Sequence, residues 1–120
     1  MSTFSVDFEI GDLQGRYFET LQGLVDTGAT FTVVPGNLLE RLGVRPQRKE
    51  PFALADGRLV EYEVGTVLFR LAGKEGASTC VFAPAGIEPL IGAVTLETLL
   101  LGVDPVNERL ISVTGKLKLL

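Results

Sequence analysis

The sequence predicts an all-β fold with one or two short helices, and three observations carry that prediction. Fourteen Gly and six Pro in 120 residues punctuate the chain at short intervals, as a fold with many tight turns requires. Between them, apolar and polar residues alternate with the period of half-buried strands. The helix-like stretches are only one to two turns long. An apolar fraction of 46% is enough for a packed core, so residues 1–120 are expected to form one domain.

Taken in order, Phe4, Val6, Phe8 and Ile10 alternate with Ser5, Asp7 and Glu9, a first strand. Gly11-Asp12-Leu13-Gln14-Gly15 turns the chain into a second strand over 16–25. Thr32-Val33-Val34 is β-branched and extended until Pro35-Gly36-Asn37 breaks it. Residues 38–43 read as a short helix with Asn37 as N-cap and Gly43 just past its end. Arg45 to Lys49 read as a solvated loop. Residues 52–72 form two strands joined at Asp56-Gly57, a turn pair that tolerates positive φ. Residues 73–76 make another turn and 78–82 another strand. Residues 94–101 read as a helix stopped by Gly102, Asp104-Pro105-Val106-Asn107 as a turn, 109–113 as a strand and 116–120 as a last one.

Composition excludes several functions. The chain has no His, which removes Ser-His-Asp and Cys-His catalysis and most transition-metal sites. Its net charge is −4, and the basic residues form no stripe, so nucleic acid is not an expected partner. No apolar run reaches the ~20 residues that span a bilayer, so no membrane is expected either. The N-terminus lacks the basic start and apolar stretch of a signal peptide. Cys80 is the single cysteine, which fits a reducing compartment and a small core residue. A soluble cytoplasmic protein is the expectation, with no metal and no cofactor.

One run carries chemistry: Gly23-Leu24-Val25-Asp26-Thr27-Gly28-Ala29-Thr30. It places a carboxylate directly after an apolar strand, on backbone that small residues fix in a turn. Asp, Thr and Gly favour turns generally, so the triplet alone also fits an Asx-type turn. Two later features accompany it: the Asp56-Gly57 hairpin, and Leu90-Ile91-Gly92 ahead of a helix carrying Leu96.

In this order and at these separations, the three features resemble the retroviral-type (clan AA) single-domain aspartic proteases, over most of the chain. The middle and C-terminal parts look closer to the cellular bacterial and archaeal members than to the viral ones. Thr30 stands where the viral enzymes usually have an acidic residue. The resemblance implies the retropepsin-like acid-protease fold, a closed β-barrel that works as a homodimer. It implies that Asp26 is catalytic, that Thr27, Gly28 and Ala29 support the active-site loop, and that Thr27 bonds across the two-fold axis. Asp56 and Gly57 become the tip of a flap over an extended peptide or unfolded segment. Leu90, Ile91 and Gly92 pack beneath the loop.

Hydrolysis by water needs a base to activate it and an acid to protonate the product. Two adjacent carboxylates supply both, as is known for the aspartic-protease dyad. One loop per chain then requires a second copy. Fold does not dictate function, so a weakly active or inactive dimeric peptide-binding module is the other class compatible with these residues. An intact Asp26-Thr27-Gly28 favours the enzyme.

Overall fold

The computed structural model describes residues 3–119. Met1, Ser2 and Leu120, the ends of the expected domain, lie outside the described residues. The alternation of the first segment produces β1 (Phe4–Gly11), which buries Phe4, Phe8 and Ile10 and exposes Ser5 and Asp7. β1 pairs antiparallel with β2 (Phe18–Val25) from Phe4 opposite Val25 to Gly11 opposite Phe18. The buried carboxylate of Asp12 holds the connection by accepting the Arg16 N–H at 2.9 Å and the Arg16 side chain at 3.0 Å. β2 therefore begins two residues later than the sequence suggests.

β3 (Thr32–Pro35) leads directly into α1 (Gly36–Arg41). Pro35, not Asn37, is the N-cap, and no side chain caps the helix. Pro35 closes β3 with φ −52°, so helical backbone starts one residue after it and Asn37 falls inside the helix. Gly43 does end the helix, at φ +82°, and the Val44 N–H reaches back to the Leu39 carbonyl at 3.0 Å.

β4 (Arg48–Ala53) starts inside the segment expected as a solvated loop, because Arg48 and Lys49 pair with Val64 and Glu63 of β5 (Leu59–Leu71). The Asp56-Gly57 hairpin forms, with a longer loop than a two-residue turn: Leu54 and Arg58 close it, and only Gly57 takes positive φ, +86°. β6 (Lys74–Ala83) begins four residues before the expected strand. Ala72 and Gly73 make the tight turn with φ of 50° and 80°, which suits strand twist and lets Leu71 pair with Lys74.

β7 (Leu90–Ile91) precedes α2 (Ala93–Thr98), and β8 (Leu101–Asp104) pairs with β9 (Arg109–Ser112). α2 is shorter than the expected 94–101. Leu100 takes φ +53°, its carbonyl accepts the Lys74 ammonium at 2.8 Å and the Val113 N–H at 3.0 Å, and Leu101 and Gly102 are drawn into β8. Tertiary pairing here overrides helical propensity. No strand forms over 116–119; residues 113–119 are irregular and exposed.

The larger sheet runs β1-β2-β7-β3-β6-β5-β4, and β1 pairs again with β5. Its interior holds Ile10, Val34, Val67, Phe69, Cys80 and Ile91, all fully buried. Burial pushes the Cys80 thiol up to about 12, so it stays protonated and inert as a core residue. The architecture is mostly β with two six-residue helices among the described residues. No helix there is long and apolar enough to cross a membrane.

Candidate active site

β7 is only two residues long, yet it organises the site. It lies parallel to β2, with Leu24 opposite Leu90 and Val25 opposite Ile91, and antiparallel to β3 at Val33. The carbonyl of Ile91 accepts the Asp26 N–H at 3.0 Å. Buried Val25 and Ile91 thus anchor the end of β2 from below, and Asp26 is the first residue to leave the strand.

Its loop is closed by its own groups. Asp26 Oδ1 accepts the Gly28 N–H at 2.9 Å and the Asp26 carbonyl accepts the Ala29 N–H at 3.1 Å. This is the Asx-type turn that the residues favour, and it holds a half-buried carboxylate in one orientation beside exposed Thr27 and Gly28.

The far side of the loop is bound to α2. The carbonyl of Ala29 accepts the Ala93 N–H at 2.8 Å and that of Thr30 accepts the Val94 N–H at 2.9 Å. The first N–H groups of a helix have no intrahelical partner, so the loop caps α2 in place of a side chain. Gly92 makes this approach possible. A Cβ there would stand 2.6 Å from the Phe31 carbonyl carbon and oxygen. The Gly92 N–H donates to Thr32 Oγ1 at 3.1 Å, and Thr32 and Thr95 share a buried hydrogen bond.

Between the loop and β4 lies a groove of ≈ 470 Å³, bordered by Ala29, Phe31, Val33, Phe52, Leu54 and Tyr62 among others. Phe31 meets Phe52 edge to face at 6.0 Å, and Phe52 lies 6.4 Å from Tyr62. A different cavity, ≈ 460 Å³, borders Asp7, Glu9, Thr20, Arg70 and Lys74 and contains none of the candidate residues. Arg70 there pairs with Glu75 at 2.7 Å and Glu9 at 3.5 Å and covers the Phe18 ring, and the Lys74 ammonium donates to the Leu100 carbonyl.

The structure therefore brings Asp26, Thr27, Gly28 and Ala29 together with Leu90, Ile91 and Gly92. It does not bring the hairpin tip into that group. Asp56 and Gly57 are exposed and do not border the groove, and the Asp56 carboxylate is held by Arg58 at 2.7 Å. The backbone and side chain of Arg58 hold the Asp56 carboxyl below its usual range. Sequence reasoning missed the groove residues Phe31, Phe52 and Leu54 and the buried Thr32, Ser78 and Thr95. An aromatic residue directly after the Asp26 loop was the available signal for the first. Among the described residues no three His, Cys, Asp or Glu side chains gather as a metal site.

A sequence profile described as aspartyl protease matches residues 6–104. The chain belongs to this aspartyl protease family. Solved structures agree on the fold of the protease. The simian foamy virus protease is 22% identical, with a TM-score of 0.56 over 78% of this chain and 92% of the other. The EIAV protease, solved with the inhibitor HBY-793, is 21% identical, with a TM-score of 0.55 over 80% and 86%. The retroviral protease-like domain of Ddi1 from Leishmania major is 20% identical, with a TM-score of 0.54 over 89% and 86%. No curated protein matches significantly. The chain is therefore a member of the aspartyl protease family with the fold of the retroviral-type proteases.

Proposed function

We propose that residues 1–120 act as one aspartic endopeptidase domain, in the cytoplasm, as a homodimer whose active site combines Asp26 from each chain. The observation that carries this reading is the carboxylate of Asp26, fixed by the Gly28 N–H on a loop bound to both β7 and α2. A group intended as general base must be held rigidly while staying accessible to water. One such loop per chain supplies half of an acid and base pair, and a two-fold axis supplies the rest.

In the dimer one Asp26 takes a proton from water as the water attacks the peptide carbonyl. The other, protonated, donates to the oxygen or the departing amine. Thr27 bonds across the axis, and the exposed Gly28 lets the peptide backbone come close. The hairpin carrying Asp56 and Gly57 covers the peptide. β4 ends the sheet order, and such an edge can pair with an extended chain. The additional β1–β5 pairing supports the closed-barrel reading.

The test is incubation of wild type and Asp26→Ala with a peptide library, read by mass spectrometry. Cleavage by wild type alone supports the reading. Equal cleavage by both, or by neither, ends it.

A further inference from the structure

We propose that the buried hydroxyls of Thr32, Ser78 and Thr95 are positioning groups for the Asp26 carboxylate, acting on it through a single peptide unit, the one that joins Ile91 to Gly92. The inference rests on the protease reading above and names residues on which that site depends without their touching substrate.

The two polar ends of this peptide unit have different partners. Its carbonyl, on Ile91, accepts the Asp26 N–H at 3.0 Å, and its N–H, on Gly92, donates to Thr32 Oγ1 at 3.1 Å. A trans peptide unit is planar, with its C=O and N–H pointing opposite ways, so it turns as one body. A rotation that weakens the bond to Thr32 also swings the carbonyl that holds Asp26. The angle at which the chain leaves β2 is thus tied to a hydroxyl on β3.

That hydroxyl is itself held. Thr32 Oγ1 lies 2.6 Å from Thr95 Oγ1, which lies 3.0 Å from Ser78 Oγ. All three residues are buried, and no buried polar side-chain atom among the described residues lacks a partner. Hydrogen bonds in such a low-dielectric chain polarise and strengthen one another, and a fully paired network specifies one arrangement.

Thr95 also stands behind the loop's other attachments. The Ala93 and Val94 N–H groups bind the Ala29 and Thr30 carbonyls, so residues 91–94 grip the loop at three points immediately ahead of Thr95. α2 has six residues and no side-chain N-cap, far short of the ~12–15 at which a helix is even marginally stable alone. Its seating comes from what its side chains hold. A valine at 95 would fill the same volume, but apolar contact is non-directional, whereas a hydroxyl bonded on two sides fixes both rotation and slide. Displacing a reacting group by about 1 Å can cost about a hundredfold in rate, so this precision has a kinetic consequence.

The experiment compares wild type, Thr95→Val, Thr95→Ser, Ser78→Ala and Gly43→Ala, the last a destabilised control away from the site. Values of kcat and KM for a cleaved peptide are measured well below each unfolding midpoint. Amide hydrogen exchange is followed in the same proteins without substrate. Thr95→Val should lower kcat about tenfold or more per folded molecule, with KM within about twofold of wild type. Exchange at the Asp26 and Gly92 amides should quicken by about tenfold or more beyond any change in β1 and β5. Thr95→Ser should restore both, and Gly43→Ala should keep its kcat and quicken exchange only evenly. Ser78→Ala keeps the Thr32–Thr95 bond, should show the Thr95→Val pattern more weakly, and decides the matter if Thr95→Val does not fold. Exchange that quickens evenly through the protein, or an unchanged kcat in Thr95→Val and Ser78→Ala, overturns positioning and leaves proteolysis standing. If wild type cleaves no peptide, selective exchange at Asp26 keeps the hydroxyls as holders of the loop and removes the enzyme. Even exchange without cleavage overturns both.

Discussion

Thr32 Oγ1 lies 2.6 Å from Thr95 Oγ1, and both residues are fully buried. Ser78 Oγ joins them at 3.0 Å from Thr95 Oγ1, and the Gly92 N–H donates to Thr32 Oγ1. The three hydroxyls tie β3, β6 and α2 together immediately behind the loop that carries Asp26. Buried hydroxyls are costly when unpaired, so this cluster favours one seating of α2 over any slipped alternative.

Thr95→Val keeps the shape and removes the central hydroxyl. It should destabilise the protein by about 1–3 kcal/mol, because two buried groups lose their shared partner. Thr95→Ser, which keeps the oxygen, should cost less. Denaturant unfolding of the three proteins checks the order. A Thr95→Val midpoint equal to wild type would show that the cluster contributes nothing.

Gly92→Ala tests the approach of the loop to α2. Gly92 has φ −96° and ψ 175°, an extended conformation open to any residue, so the obstacle is purely steric. The new methyl would sit 2.6 Å from the Phe31 carbonyl and 2.8 Å from the Thr30 oxygen, all backbone atoms that no rotamer change can move. We expect a loss of about 1–3 kcal/mol or more, with reduced thermal stability and loss of any peptidase activity. Gly43→Ala is the contrast: nothing lies within 4 Å, but φ is +82°, so about 1–2 kcal/mol of backbone strain is expected and the site survives. An equally stable Gly92→Ala would contradict the close packing.

These contacts show what a sequence displays and what it withholds. Asp26-Thr27-Gly28-Ala29 and Leu90-Ile91-Gly92 were legible because each is a local backbone device, a turn or a strand end built from adjacent residues. Gly43 and Gly57 were legible for the same reason, since positive φ is a property of one residue. The groove was not, because Phe52 and Tyr62 meet only through the register of β4 on β5, with Phe52 opposite Val60, and Phe31 reaches Phe52 from the distant end of the Asp26 loop. Thr95 looked like an ordinary helix residue, since its partners come from β3 and β6. The end of α2 escaped because Lys74 and Val113 satisfy the Leu100 carbonyl from outside the helix.

Acid should weaken the fold through Asp12. Burial alone would raise its carboxyl, but the Arg16 side chain, the Arg16 and Tyr17 N–H groups and the Arg16 charge outweigh it and hold the group below its usual value. Asp104, held by Asn107 and Arg109, and Asp56 are shifted the same way. The unfolded chain therefore takes up protons first as pH falls. The stabilisation is complete above the ordinary Asp value of about 3.9 and is lost progressively below it. Asp12→Asn should be less stable at pH 7 and show a flatter decline below about pH 4. Urea midpoints between pH 7 and pH 2 measure this, and parallel curves for wild type and variant would remove Asp12 from the account.

The last prediction separates a shared active site from one held within each chain. Asp26→Asn removes an ionisable group but keeps its size and can still accept the Gly28 N–H through its carbonyl oxygen. It should fold and dimerise as wild type does while failing to cleave peptides. Wild type and Asp26→Asn, mixed and allowed to exchange subunits, then form three dimers. If cleavage requires one Asp26 from each chain, only the all-wild-type dimer works. An equal mixture should then retain about one quarter of the activity of the same total amount of wild type. If each chain holds a complete site, activity should fall only to about one half, in line with the wild-type fraction. Light scattering on the same samples establishes that dimers are present and equally populated. A linear decline with dimers present would break the two-fold dyad while leaving Asp26 itself essential.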